Sequence, residues 1–398
     1  MAQQHSQAQA GPTDASMWIY LWDIVDEGYE HVFSFLKERR LTSLSVAGAY
    51  HAGKFLAVHN PKRKVVFLED GTIYFTPDPR FFGAIKPQVN SLVTEGHHLG
   101  SVARSAERFG LETRAWVVCC HNSRIGALHP SACTETAFGD RLIHNLCPNN
   151  PDVRAYLRGL VRSLAAQGIG TIELEAMQFQ GYAHGMHHER EGIPLPLGIR
   201  YLLGLCFCPS CRREAEASHA EFARVKAWTL RTLGEYFADP SPANEERYAS
   251  LDALPAELFA PFDRWREDAI VRLAGELSDA VSTQGIRLLP MTSLDPIAQR
   301  MAAMNPQKVS EVTGGILALG YIREGAALRA PLEALKSRLG PARRLTVGMH
   351  VGMPESGGKS DFLARMSAAR ALGITRFNFY NYGFVPLSHI DWIAEALA

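Results

Sequence analysis

The chain has 398 residues, 46% of them hydrophobic, enough for one large domain or two ordinary ones with a substantial core. Lys plus Arg and Asp plus Glu both total 41, so no net field draws it toward nucleic acid or an anionic membrane surface. No apolar run is long enough to span a bilayer, and the opening MAQQHSQAQAGPTDAS has neither a basic n-region nor an apolar h-region, so the expected location is the cytoplasm. The cysteines agree with a reducing compartment. They number 7, Cys119 and Cys120 are adjacent, and Cys206, Cys208 and Cys211 fall within six residues, a pattern closer to metal binding or free thiols than to a disulfide framework.

In chain order, short apolar strands alternate with helical segments. Residues 1–15 form a polar leader expected to be disordered, and residues 16–398 read as a single domain. Met17 to Ile24 (MWIYLWDI) reads as strand one, followed by the helix GYEHVFSFLKERR, and Ser43 to Tyr50 is strand two. The interval from Lys64 to Phe82 contains KVVFLEDGTIYF, two alternating runs around an Asp-Gly turn, which predicts a β-hairpin within an insertion over about residues 60–97. A helix over Leu99 to Phe109 leads to strand three, Thr113 to Cys120. Asn150 is a helix N-cap candidate with Pro151 at the first helical position and Gly168 as the stop.

Strand four lies in GTIELEAMQF, where Ile172, Leu174 and Ala176 alternate with Thr171, Glu173 and Glu175. Two helical stretches from Arg212 to about Gln284, separated by DPSPANEERYASLDALP, read as a long helical insertion over about residues 177–285. Strands five to eight are Ile286 to Ser293, Gly314 to Ile322, Arg344 to Gly352 and Ile374 to Gly383. Helices fill the gaps, including Asp361 to Leu372 and Ile390 to Leu397. Strands separated by helices run parallel, and eight such units predict an α/β fold, a (β/α)8 TIM barrel with the hairpin insertion after strand two and the helical one after strand four. The competing doubly wound sheet usually carries a Gly-x-Gly-x-x-Gly or a P-loop, and neither is present.

In such a barrel the chemistry sits at the carboxyl ends of the strands. Those ends supply Tyr20, Trp22 and Asp23; Tyr50 and His51; His121 and Asn122; Glu173 and Glu175; Thr292 and Asp295; Tyr321; His350 and then Glu355; and Asn378, Tyr380, Asn381 and Tyr382. Aromatic faces, amides and carboxylates with few cations suit a sugar better than a phosphate. The loop after strand four adds His184, His187 and His188, read as sugar contacts, a metal site, or a solvated loop. Glu173 and Glu175 are either catalytic carboxylates or members of a structural hydrogen-bond network. Cys206, Cys208 and Cys211 fit a structural zinc site if a fourth ligand arrives, and otherwise three buried thiols. Cys119 and Cys120 read as small core residues.

At this point the chain resembles the (β/α)8-barrel glycoside hydrolases. The pattern spans Met17 to the end, and CPNNPDVRAYLRGLV followed by a strand ending in Glu looks like the segment leading to their strand-four acid/base. The resemblance implies a carbohydrate substrate, a general acid/base at Glu175 and no organic cofactor. The spacing of Cys206, Cys208 and Cys211 looks like the zinc cluster of family 42 β-galactosidases, which implies a further cysteine as fourth ligand, here Cys133 or Cys147. Two positions depart from the pattern: Leu174 stands where an Asn precedes the acid/base, and His350 ends strand seven where a nucleophilic Glu is found.

Cleavage of a glycoside generally uses two carboxyls. The candidates for the second are Glu173, Asp23, Asp295 and Glu355. The substrate pocket expected around Glu175 comprises Trp22, His51, His121, Asn122, His184, His187, His188, His350, Asn378 and Tyr380. Two alternatives stand beside this reading: a metal-dependent sugar isomerase, epimerase or lyase in the same barrel, and a glycan-binding barrel without turnover. The chain's oligomeric state stays open.

Overall fold

A computed structural model of the chain describes residues 13–183, 189–218 and 221–398. Eight strands form a closed parallel barrel: β1 (Asp14–Ile19), β2 (Ser43–Tyr50), β3 (Glu112–Val118), β4 (Thr171–Glu175), β5 (Arg287–Ser293), β6 (Gly315–Leu319), β7 (Arg344–His350) and β8 (Arg376–Tyr380). Closure is explicit in the register, where Ser16 of β1 pairs with Ser43 of β2 on one side and with Asn378 of β8 on the other. One main helix follows each strand: α1 (Tyr29–Glu38), α2 (Leu99–Glu107), α3 (Pro151–Ala165), α4 (Ala256–Val281), α5 (Pro306–Thr313), α6 (Gly325–Leu339), α7 (Lys359–Ala371) and α8 (Leu387–Ala396). No helix among the described residues is long and apolar enough to cross a membrane.

The strands alternate between an outer face packed on helices and an inner face that fills the barrel. At the amino end the fill is ionic. Arg114, buried, donates to Asp14 at 2.5 Å and to Glu112 at 3.0 Å, and Arg287 also pairs with Glu112. Higher up, an aromatic fills the space. Gly348 of β7 makes room for it, because a Cβ there would sit 2.8 Å from the Trp18 indole. Local signals hold the outer layer: the Asn150 side chain accepts from the Asp152 and Val153 amides at 2.9 and 3.3 Å, capping α3, a contact of about 1 kcal/mol.

Three segments differ from the sequence expectation. β1 ends at Ile19, and Leu21–Glu27 is helical, because the Asp23 carboxylate accepts the Tyr20 amide (3.2 Å) and caps the turn. The hairpin after β2 pairs Lys54–Leu56 with Val65–Phe67, whereas Thr72–Ile73 joins the main sheet antiparallel to Tyr50 and Ala49. The Asp70–Gly71 turn therefore connects two sheets instead of two hairpin strands. In the long segment after β4, the helices Leu197–Leu203, Pro209–Ala217, Phe222–Ala238 and Pro242–Arg247 precede α4, which packs on α3 and α5 as the barrel's own helix. A second hairpin, Cys133–Glu135 with Arg141–Leu146, lies between β3 and α3 and had no clear sequence signal.

Candidate active site

The strand ends enclose a cavity of about 260 Å³ lined by Trp18, Tyr50, Trp116, Glu175, Met291, Leu319, Tyr321, His350 and Tyr380. All eight strands or their ends contribute, so the cavity sits on the barrel axis. The walls are aromatic. Tyr50 meets Trp116 edge-on at 4.9 Å between centroids, and Trp18 meets Tyr380 edge-on at 5.8 Å. Among the described residues no Lys or Arg lines this space, and Glu175 is its one carboxylate.

Glu175 closes β4 and accepts from the Trp116 indole N–H at 2.5 Å. Burial raises its pKa above the ordinary carboxylate value, and the Trp116 bond opposes the shift. The phenols around it are also perturbed, with Tyr380 pushed up to about 12 chiefly by burial. A carboxyl whose pKa is raised beside a small aromatic chamber is better equipped to give a proton to a bound oxygen.

Glu173, two residues earlier, occupies a different environment. Its carboxylate accepts from Trp18 Nε1 at 2.8 Å, Ser45 Oγ at 2.7 Å and Asn378 Nδ2 at 2.8 Å. It is fully buried below the cavity, and burial moves its pKa up to about 7 against the opposing pull of Arg114 and these bonds. Asn378 thus belongs to the cavity's underside. Through Trp18, this layer fixes the floor of the cavity that Glu175 lines.

The remaining site candidates are dispersed. His350 lines the cavity, pairs through Nδ1 with the Glu355 carboxylate, and stacks on Tyr321 at 3.9 Å. Tyr380 also lines it. Trp22 stacks behind Tyr20 at 4.2 Å, outside the cavity wall. Asp23 is sealed in the β1–α1 turn, where burial raises its pKa to about 7, and Asp295 caps the helix Pro296–Ala302 through the Ile297 amide. Neither carboxylate reaches the chamber. His51 stacks between Tyr50 (4.5 Å) and His121 (4.1 Å), with His144 6.2 Å beyond, so imidazoles gather on the rim above β2 and β3. Asn122 caps the helix Ser123–Leu128 through the Ile125 amide. His184, His187 and His188 lie outside the described residues.

Trp18, Trp116, Met291 and Leu319 were not among the sequence candidates. The signal that finds them is the period of two, because Trp116 lies two residues before the last residue of β3 and Met291 two before that of β5.

The thiols converge elsewhere. Cys147, Cys206, Cys208 and Cys211 are all buried, with their sulfur atoms within 4.8 Å of one another. Cys147 Sγ stands 3.5 Å from Cys211, 3.6 Å from Cys208 and 3.9 Å from Cys206. Tetrahedral thiolates about 2.3 Å from a zinc ion lie about 3.8 Å apart, so the donor set fits. The three neighbouring thiols hold Cys208 far below the usual range, while burial pushes Cys147 and Cys211 up. The Cys211 amide and Asn149 Nδ2 both approach cluster sulfurs at 3.5 Å, as donors to thiolates would. Cys133 is not part of the cluster. Its sulfur packs near the Gly126 carbonyl, and burial raises its pKa to about 11.

Fold and site together define a (β/α)8-barrel protein with a single-carboxylate aromatic chamber at its mouth and a separate four-cysteine cluster. No protein-family model matches the chain, and no curated protein matches it. Among solved structures it is similar to the PgaB (BpsB) glycoside hydrolase domain from Bordetella bronchiseptica, at 12% identity and TM-score 0.53 over 94% of this chain and 95% of that one. It is also similar to the β-galactosidase from Bacillus circulans sp. alkalophilus (10% identity, TM-score 0.56, 93% of this chain and 50% of that one). The β-galactosidase from the psychrophilic Marinomonas ef1 aligns at 10% identity and TM-score 0.54, over 93% and 54%. The chain spans about half the length of these two β-galactosidases. At such identities the likeness establishes the barrel fold.

Proposed function

We propose that the chain is a glycosidase that cleaves a terminal, uncharged sugar from a small glycoside, with Glu175 as the general acid. The observation that carries this reading is the chamber itself: a space of about 260 Å³, walled by aromatics, with no Lys or Arg and one carboxyl, its pKa raised by burial, among its described lining residues. Aromatic faces bind the apolar faces of a pyranose, and the absence of Lys and Arg from the described wall disfavours phosphorylated or acidic sugars. Glycoside hydrolases among the solved structures of similar fold add weight to the reaction class. Glu175 would protonate the glycosidic oxygen as its bond to the anomeric carbon breaks.

We further infer that zinc occupies the four-cysteine cluster in a structural role. It would be held by Cys147, Cys206, Cys208 and Cys211 and would tie the helix Pro209–Ala217 to the segment preceding α3. The work of the ion would be folding, and chemistry at the chamber would not pass through it.

One observation favours a second reading, a glycan-binding barrel without turnover: Glu175 is the one carboxylate in the described cavity wall. Turnover separates the two. Incubation of the protein with aryl and natural glycosides is expected to release sugar, and Glu175→Gln to lower kcat by about 10²-fold or more. Full activity in Glu175→Gln would remove Glu175 from the mechanism. Glycan binding without release by the wild-type protein would establish the second reading.

A further inference from the structure

We propose that His350, held by Glu355, is the general base that completes the reaction at Glu175, so that water displaces the leaving group in a single inverting step. The inference rests on the glycosidase reading above and names the second group of that site.

β7 ends in His350, three strands around the barrel from Glu175, and both residues line the same cavity. Nδ1 of the imidazole is bonded to the Glu355 carboxylate, which lies outside the lining. Among the described residues nothing is hydrogen-bonded to the other ring nitrogen, Nε2. A carboxylate on Nδ1 fixes the tautomer with the proton there and leaves the Nε2 lone pair available.

The ring is also held in place. It stacks on Tyr321 at 3.9 Å and 25°, and Tyr380 lies 5.0 Å away. The His350 carbonyl accepts from Ser356 Oγ at 2.9 Å and from the buried Arg365 guanidinium at 2.5 Å. The titratable groups facing the imidazole are therefore Glu355, Arg365, Tyr321, Tyr380 and, across the cavity, Glu175. Burial lowers the His350 pKa and Arg365 adds to this, while Glu355 raises it. The net shift is downward and favours the neutral imidazole, the state a base requires.

In the step, Nε2 takes a proton from water as the water oxygen bonds to the anomeric carbon. The bond from that carbon to the glycosidic oxygen breaks, its electron pair stays on the oxygen, and Glu175 supplies the proton. The products are a free alcohol and a sugar of inverted configuration. An imidazolium and a carboxylate remain, and exchange with solvent restores both. Water is the sole co-reactant.

The test uses the intact chain on any glycoside that it turns over. Proton NMR of the first-formed sugar is expected to show the inverted anomer. His350→Gln should lower kcat by about 10²-fold or more. Glu355 is a positioning residue, and Glu355→Gln should move the acidic limb of kcat/KM to lower pH, because the imidazole loses the charge that raises its pKa. A merely structural role would shift Tm without moving that limb. Retention of configuration, or near-full activity in His350→Gln together with loss in Glu175→Gln, would overturn the dyad and leave the glycosidase reading standing. A wild-type protein that hydrolysed no glycoside would overturn both. Should His350→Gln fail to fold, the pH profile of Glu355→Gln and the product anomer decide the question.

Discussion

Glu173 and Glu175 stand two residues apart on one strand, face the same barrel interior and are both raised in pKa by burial, yet their surroundings are opposite. Glu173 accepts three side-chain hydrogen bonds from three other strands, whereas Glu175 accepts one and faces open space. A carboxylate enclosed by donors has nothing left to exchange with a ligand. One left with a single donor beside a cavity retains that capacity. The lower layer is thus a fastening and the upper layer a candidate site, and the same residue type suits either job according to how many partners reach it.

Removing the fastening should have the largest effect on stability. Glu173→Ala leaves the Trp18 indole, the Ser45 hydroxyl and the Asn378 amide without their acceptor, and each orphaned buried donor costs about 1–3 kcal/mol. A loss on the order of 5 kcal/mol is expected in urea unfolding. Glu175→Gln should stay within about 1 kcal/mol of wild type while losing activity, because it disturbs one bond at a cavity wall. Equal stability of the two variants would abolish the distinction between the layers.

The thiol cluster is a fastening of another kind, and its loss should be intermediate. About one zinc per chain is expected in the purified protein. Cys147→Ser, which removes a sulfur within 3.9 Å of all three others, should lose the metal and on the order of 3 kcal/mol. Cys133→Ser should keep the metal, since Cys133 is separate from the cluster. Metal content by atomic absorption and Tm with and without chelator would check both. Zinc retained at full level in Cys147→Ser would exclude this ligand set.

The barrel was legible because each of its strands is a short apolar run flanked by helical patterning. The Asn150 cap and the Cys206–Cys211 spacing were legible for a similar reason, since both are local. What escaped was decided by side-chain and strand contacts that apolar periodicity does not show, some local and some distant in sequence. The run MWIYLWDI carries no sign that Asp23 will fold back on the Tyr20 amide and start a helix, and short apolar runs do not separate strand from helix by periodicity. The Asp70–Gly71 turn looked like a hairpin because its neighbours alternate, but Val66 found Phe55, and Thr72 found Tyr50. For the candidate site, the strand-end rule named Glu175, His350 and Tyr380, which line the cavity. It could not rank Asp23, Asp295 and Glu355, because only the folded chain shows that the first is sealed, the second caps a helix and the third reaches an imidazole.

The finest probe of the contrast is the single bond that Glu175 does accept. Trp116→Phe keeps the aromatic wall and deletes the indole N–H that stabilises the Glu175 carboxylate. Without that donor the ionised form is less favoured, so the Glu175 pKa should rise further. The acid works when protonated, and its contribution is lost as pH rises through that pKa. The alkaline limb of the pH–rate profile should therefore move to higher pH in Trp116→Phe, with Tm nearly unchanged. An alkaline limb that stays in place would mean that the titrating acid is a group other than Glu175, and the upper layer would lose its claim to be the site.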